Sequence, residues 1–522
     1  MKRTGFVMPL LLGTFSLVIF LQRYHTRNEP VECDTANQSV LAHEWRLGRP
    51  LYSDLWINKP PGGILTFAAA EKLAGTGSSS ILFLAALTSI LTLFGIYVGT
   101  VWMTHDRASG LWAGVFWTLV NGNPYLEANQ PMLEGFANVF WVWGAAFAFR
   151  AVQEESPSRD LWISGGFLAM ASFYKHHLAP ANVLFMIGIL AAERYRSPRR
   201  TTEIFLDSVR AMLPTLFLWA GITAYFLFTH RFILLWDTLL TRSIQYAQET
   251  PFGAGGLASN ILNSLKPSIL SWGYTRGVFY SAMPLAAVCL PGILMIRRAD
   301  AGRWSILAGY GAAVWLGIAL PGRFYPHYYQ MLLPPLAIAA GCSINQLGRY
   351  PSIFSRYRAV FIWPCLAASL MAVRELRFFR LQDVEWSRLK YGEVYITVKK
   401  MGEEIGRNLL PGETFYEIGY DPGLYYYSRC RPPTGILFAD DWESGPSGAP
   451  FMQRIEEDLA RRQPELFITT KFWVASEKNS RLPLMQWCLE HYRPFPRDAR
   501  HGPFLLYARR GGTLERRLTA QR

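Results

Sequence analysis

The chain has 522 residues, of which 51% are hydrophobic, 15% aromatic and 17% charged, and its 52 basic against 38 acidic side chains give a formal charge of +14. Mean hydropathy is positive, at +0.11, and the apolar residues gather in blocks of roughly 17 to 24 that require a bilayer, which excludes a mainly cytosolic enzyme. The aromatic content excludes a disordered chain, the lack of a glycine triplet period excludes collagen, and six scattered cysteines exclude a disulfide scaffold.

In chain order, Met1-Lys2-Arg3 precedes an apolar run from Gly5 to Leu21, and Gln22-Arg23-Tyr24-His25 offers no small-x-small cleavage site. The run therefore reads as a retained anchor with its N-terminus inside. Further spans are expected near 80–104, 108–123, 131–150, 161–176, 178–193, 207–228, 279–296, 303–320, 327–347 and 358–373, about eleven with the first. Alternation then puts Arg107, Arg150 with Arg159, the cluster Arg194, Arg196, Arg199 and Arg200, the group Arg297, Arg298 and Arg303, and finally Arg349, Arg356 and Arg358 on the cytoplasmic side. Every inner turn is basic, so the excess charge reads as orientation rather than nucleic-acid binding. The run Gly62–Gly75 is too short to cross and carries Glu71 and Lys72, so it is expected to be an interfacial helix.

The outer face receives the first loop, 23–61, the loop 229–277, and everything beyond the last span. Residues 1–378 read as the transmembrane module and 379–522 as an extracytoplasmic α/β domain. In the latter, Thr414–Ile418, Leu466–Thr470 and Phe504–Tyr507 read as strands and Phe451–Arg462 as an amphipathic helix. Cys289, Cys342 and Cys365 fall in spans as small apolar residues, Cys33 is a single exposed thiol, and Cys430 and Cys488 are placed where they either pair or stay free.

Polar side chains at the outer membrane boundary are expensive and so mark function. They are Asp34, Lys59, Glu127, Glu134, Lys175, His176, His177, Arg323 and His327. Each alone reads as a snorkelling or anchoring residue, but their convergence on one face does not. Locally, Asp34 reads either as a helix N-cap, with Asn37 and Gln38 in the first turn, or as a reactive carboxylate. Pro60-Pro61 starts the next helix, which leaves Lys59 at the membrane surface without a helix-building reason.

Glu32-Cys33-Asp34, then a helix ending in Gly48-Arg49-Pro50-Leu51-Tyr52, then Lys59-Pro60-Pro61 resembles the opening of the GT-C superfamily of membrane glycosyltransferases. The resemblance is to the branch of protein O-mannosyltransferases and the lipid A aminoarabinose transferase. Asn123 to Asn129 with Glu134, Gly165-Gly166-Phe167 to Lys175, and Gly322-Arg323-Phe324-Tyr325-Pro326-His327-Tyr328-Tyr329 resemble its later motifs in order, over about residues 1–345. The family commonly has Asp-Glu at the first motif, with Tyr three residues beyond the Glu. This chain has Asp34-Thr35 and Gln38, which leaves donor and divalent-metal contacts open.

The resemblance implies transfer of a hexosyl or pentosyl group from a polyprenyl-phosphate donor to an acceptor hydroxyl outside the cytoplasm, in an inner or plasma membrane. Asp34 would be the base, Lys59, Arg323 and His327 the donor-phosphate contacts, and Glu127, Asn129, Glu134, Lys175 and Tyr328 further residues of the substrate site. The acceptor is a protein, lipid or glycan. A phosphate leaves already charged, so cations replace the second carboxylic acid of a glycosidase, and one carboxylate with in-line displacement inverts the anomeric carbon.

No separate cofactor is required and no metal is assigned. His176-His177 are adjacent and diverge on a helix, Asp440-Asp441 with Glu443 reads as a solvated turn, and the glycine run from Gly253 to Gly256 lacks the Lys-Ser/Thr of a phosphate loop and reads as a flexible loop over the site. Two rivals are a lipid-linked-sugar transporter or flippase, for which no inverted repeat is visible, and a non-catalytic membrane anchor with a partner-binding outer domain.

Overall fold

The computed structural model describes residues 4–153, 158–196, 201–249, 256–266, 281–349, 361–438, 448–480, 482–495 and 501–520. Outside them lie Lys2, Arg3, Arg199, Arg200, Arg356, Arg358, Gly253 and Gly255 of the glycine run, the acidic group Asp440, Asp441 and Glu443, and residues 250–255 and 267–277 of the segment 229–277. The contacts divide the chain into two compact units: 1–28, 81–232 and 246–386 in one, and 29–80, 233–245 and 387–522 in the other.

The first unit is helical. It holds α1 (Thr4–His25), most of α4 (Ser78–Thr104), α5 (Arg107–Val120), α6 (Leu133–Ala151), α7 (Ser158–Tyr174), α8 (Leu178–Arg196) and α9 (Thr201–Phe228). Helices Met283–Leu294, Ala301–Ala319, Leu333–Gly348 and Trp363–Leu376 follow. A helix thus stands at each segment where the apolar runs demand one. Four stretches, Val7–His25, Ser78–Thr104, Phe205–Phe228 and Pro326–Gly348, are long and apolar enough to cross a bilayer by length and composition.

With no water to compete, close approach and internal hydrogen bonds hold such helices together. α8 crosses Ala301–Ala319 where a Cβ on Gly188 would stand 2.5 Å from the Ser305 carbonyl oxygen and 3.0 Å from Gly309 Cα. The fully buried Trp141 on α6 donates from its indole to Asn182 Oδ1 on α8 at 2.7 Å, and the Asn182 amide donates to the Leu168 carbonyl of α7 at 2.9 Å. Much of α9 turns outward: Phe205, Leu216, Phe217 and Phe228 are all more than half exposed, as lipid-facing side chains are. Cys289 and Cys342 are buried as expected, but Cys365 is exposed, because it sits on an outward face of the last apolar helix.

The second unit holds α2 (Cys33–Arg46), α3 (Gly62–Ala74) and a four-stranded sheet. The strands are β1 (Phe415–Glu417), β2 (Leu466–Thr470), β3 (Tyr492–Pro494) and β4 (Phe504–Arg509), in the order β1-β2-β4-β3. β1 pairs with β2 in parallel and the other two pairings are antiparallel. β3 was not foreseen, since three residues carry no readable alternation.

Three distant segments are knit into this unit. Arg49 donates through Nε and Nη2 to both oxygens of Asp54 at 2.7 Å, and through Nη1 to Glu44 at 3.2 Å and the Pro432 carbonyl at 3.1 Å. This charge-assisted fork fixes the turn after α2. Trp56 donates through its ring nitrogen to Thr238 Oγ1 at 3.2 Å and packs on Phe451 with centroids 4.7 Å apart. Cys430 and Cys488 remain separate thiols.

Glu417 ends β1 fully buried, and its Oε1 has no hydrogen-bond partner. Burial, then the neighbouring Asp421 carboxylate, push its carboxyl well above the ordinary range, and burial pushes Asp421 up to about 6. A raised folded value means that this contribution to stability is complete at acid pH and is lost as pH climbs through it. Glu417→Gln is therefore expected to stabilise the full chain in detergent at pH 8, by about 1–3 kcal/mol, and to do so less at pH 5. Thermal unfolding at the two pH values checks the order, and a larger gain at pH 5 would refute it.

Candidate active site

The helical unit brings together five of the residues singled out from the sequence. The turn between α5 and α6 is clamped at two points. Arg23, buried at the end of α1, donates to Asn121 Oδ1 at 2.6 Å, to the Asn121 carbonyl at 2.8 Å and to Ser89 Oγ at 2.8 Å. Asn123 donates to both oxygens of the buried Glu375 at 2.9 and 3.1 Å while its own Oδ1 accepts from the Tyr125 amide at 3.0 Å. The turn thus delivers Glu127 in a left-handed conformation, φ 54°, with Asn129 buried beside it.

Glu127 Oε2 lies 2.8 Å from His327 Nδ1, and the other ring nitrogen of His327 stands 3.9 Å from Glu134 Oε1. Glu134, in the first turn of α6, takes a hydrogen bond from Lys175, which follows α7. The Lys175 ammonium also sits 4.1 Å from the centre of the Tyr328 ring. Two carboxylates, an ammonium and an imidazole therefore satisfy one another in a site where a lone charge would be costly.

Arg323 is presented by a strained turn. Gly322 at φ 67° and Phe324 at φ 53° flank it, and its guanidinium stacks over Tyr246 at 4.1 Å. Backbone of this kind persists only where the surroundings impose it, and it clusters at functional sites. Among the described residues six non-glycine positions have a positive φ, and three of them, Tyr52, Glu127 and Phe324, fall inside the motifs picked out from sequence.

Asp34 and Lys59 belong to the other unit. The N-cap of α2 is Glu32, whose Oε2 accepts from the Thr35 amide at 3.1 Å, so the capping role considered for Asp34 is already filled. Asp34 is half-buried in the first helical turn and, among the described residues, makes no side-chain hydrogen bond or ion pair. α3 begins after Pro60-Pro61 without any side-chain cap, which leaves its first amides available to an anion. Lys59, half-buried beside that N-terminus, likewise has no ion-pair partner among the described residues, and its carbonyl accepts from the strained Tyr52 hydroxyl at 2.7 Å. The C-terminal turns of α2 and α3 are pinned through Glu71, which meets His43 at 2.6 Å and Arg46 at 3.1 Å.

Arg23 and Glu375 were not anticipated as site-building residues. Their signal was present in the sequence, as a basic residue closing the first apolar run and an acid set among arginines just past the last one, each a charge at the edge of an apolar run. Among the described residues no three His, Cys, Asp or Glu side chains converge where they could hold a metal ion.

Removing one partner of the Glu134–Lys175 pair leaves a buried uncompensated charge, so Glu134→Gln is expected to cost about 3–5 kcal/mol of stability. Glu134→Gln with Lys175→Met should recover a substantial part of it. Unfolding of the four proteins of this cycle gives the coupling, and additive losses would show that the pair does not act as one.

No protein-family model matches the chain and no curated protein matches it. Solved structures do. ArnT from Cupriavidus metallidurans in the apo state is 13% identical with a TM-score of 0.60, over 97% of this chain and 98% of that one. The same protein bound to undecaprenyl phosphate is 14% identical with a TM-score of 0.56, over 97% and 98%. The archaeal oligosaccharyltransferase AglB from Archaeoglobus fulgidus, in complex with an inhibitory peptide and a dolichol-phosphate, is 12% identical with a TM-score of 0.51, over 97% of this chain and 74% of that one. Over nearly its whole length, then, the chain shares the fold of these solved structures.

Proposed function

We propose that this protein is a glycosyltransferase of the membrane, moving a sugar from a polyprenyl-phosphate donor to an acceptor hydroxyl on the extracytoplasmic side. One observation carries the reading. Among the acidic and basic residues at the motif positions, Glu127, Glu134, Lys175 and His327 are mutually satisfied, whereas Asp34 and Lys59 make no ion pair among the described residues. Charges held half-buried without a protein partner are the ones available to a substrate. The matched structures hold undecaprenyl phosphate in one case and dolichol-phosphate in the other, which supports a lipid phosphate as the donor carrier.

In this reading the Asp34 carboxylate takes the proton of the acceptor hydroxyl as that oxygen attacks the anomeric carbon. The bond from the anomeric carbon to the phosphate oxygen breaks, the polyprenyl phosphate departs with the electron pair, and the configuration inverts. Lys59 and the uncapped amides of α3 meet the growing negative charge. Arg323 is the further cation that the resemblance assigns to the donor phosphate. His327 is engaged by Glu127 and Glu134, and we assign it to orienting the turn that carries Arg323 as well as to the donor. The eleven spans, with the N-terminus inside and residues 379–522 outside, complete the orientation that the basic turns imply.

The test is transfer from radiolabelled polyprenyl-phosphate sugars by the wild type, Asp34→Asn, Lys59→Ala and Arg323→Ala. Loss of a general base is expected to slow transfer by about 10²–10⁴-fold. Asp34→Asn should retain donor binding, and Lys59→Ala and Arg323→Ala should weaken it. Activity equal to the wild type in Asp34→Asn would remove the mechanism, as would labelling of a cysteine at position 34 by an impermeant reagent from the cytoplasmic side alone.

A further inference from the structure

Asp34 makes no side-chain hydrogen bond or ion pair among the described residues, so none of them grips its carboxylate directly. Its position follows from the backbone of the first turn of α2 and from the chain that leads into that turn. Residues 30–32 of that chain have no regular secondary structure. With no helix or ladder of their own, their conformation depends on what they touch.

What they touch is the far end of the sequence, within the same compact unit. Glu29 meets Lys390 at 2.7 Å, and both side chains are enclosed, at 1% and 0% exposure. The Val31 amide donates to the Tyr427 hydroxyl at 2.7 Å. Cys33, read from sequence as an exposed thiol, is half-buried; it donates to Glu32 Oε1 at 2.9 Å and hydrogen-bonds the Tyr395 hydroxyl. Glu32 in turn uses its Oε2 to cap the Thr35 amide at 3.1 Å. Alternate residues 29, 31 and 33 are therefore held by Lys390, by Tyr427 of the helix Gly423–Ser428 and by Tyr395 of the helix Val394–Asn408.

Packing alone does not call for this arrangement. A buried ion pair contributes little net stability over an apolar pair of the same size, whereas directional contacts specify one conformation. They also close on both neighbours of Asp34: Tyr395 holds Cys33, Cys33 holds Glu32, and Glu32 holds Thr35. We infer that Lys390, Tyr395 and Tyr427 are positioning residues for Asp34, and that the segment beyond 387 takes part in the reaction by fixing the entry to α2. This role rests on the reading of Asp34 as the base. A base must stand within hydrogen-bond reach of the proton it takes, and a misplacement of about 1 Å can slow a reaction about a hundred-fold. None of the three residues is assigned to touch donor or acceptor, so their loss should lower kcat and leave the KM for the donor unchanged.

The test uses the full chain in phosphatidylcholine nanodiscs, with undecaprenyl-phosphate mannose and undecaprenyl-phosphate arabinose as donors and an extract of the native membranes as acceptor. Tyr395→Phe and Tyr427→Phe each delete one hydroxyl. Lys390→Met with Glu29→Gln removes the ion pair without leaving a buried charge behind. Each of the three proteins is expected to lose kcat about ten-fold or more while the donor KM stays within about two-fold. Cys33→Ser, which can still give and take a hydrogen bond, should keep more of kcat than Cys33→Ala. Hydrogen exchange reads the positioning without any transfer: in both tyrosine variants the amides of residues 31–36 should exchange faster, and those of β2 and β4 as in the wild type. Exchange unchanged at 31–36 would overturn the inference, as would faster exchange throughout the sheet, which would mark the contacts as merely structural. Wild-type kcat in both tyrosine variants beside an inactive Asp34→Asn would overturn it too. Wild-type transfer by Asp34→Asn would instead sink the transferase reading, and exchange alone would then decide whether the clamp exists.

Discussion

The interaction on which this molecule turns is the mutual neutralisation of Glu127, Glu134, Lys175 and His327 inside a helical unit built for an apolar surrounding. Any one of these groups alone is a severe cost in such a place, and a pair repays that cost only with good geometry. The demand spreads outward. Glu127 needs its turn held, which Arg23 and Glu375 do from the first and last helices of the unit. Lys175 needs the end of α7 held, which the stacking of Phe136 on Tyr174 does, with centroids 5.0 Å apart. Helices far apart in the chain are thereby tied to one ionic centre, and apolar packing fills in around it.

The second unit solves a different problem, because it leaves charges unanswered by design of the backbone rather than by accident of exposure. Glu32 takes the cap that Asp34 would otherwise fill, and Pro60-Pro61 deprives α3 of a capping side chain beside Lys59. Arg49 absorbs Asp54 and part of Glu44, so the acids nearest the first loop are consumed in structure. Asp34 and Lys59 stay without an ion pair among the described residues because neighbours of the same charge type were given the structural work.

Much of the helical architecture was legible, since long apolar runs are a coarse signal that a single sequence carries well. Strands β1, β2 and β4 showed through their alternation, while β3 did not. The candidate residues were legible as a set, but their contacts with one another were not. Sequence put Lys59, His327 and Arg323 in one class of cations, and the contacts separate His327, bound to a carboxylate, from Arg323, stacked on Tyr246, and from Lys59, which has no ion-pair partner among the described residues. Which acid meets which base depends on helix rotation over distances of up to 200 residues, and periodicity says nothing of that. Arg23 and Glu375 escaped for the same reason: their partners are the side chains and carbonyls of a turn about 100 and 250 residues away. That the cap of α2 is Glu32 rather than Asp34, two residues later, is a matter of local φ and ψ that composition cannot settle.

The second unit is assembled from segments that leave the ribosome far apart. Residues 29–80 are finished some 300 residues before residue 387, where the partner segment begins. At typical elongation rates of about 5–20 residues per second, roughly 15–60 s separate the two. Throughout that interval Arg49, Trp56 and the buried face of α2 have no counterpart at Pro432, Phe451 or Gly435. The nascent first loop must be shielded by a chaperone or by the bilayer surface until translation of the tail is complete, so biogenesis of this protein is set by the last quarter of its message as much as by insertion of its helices.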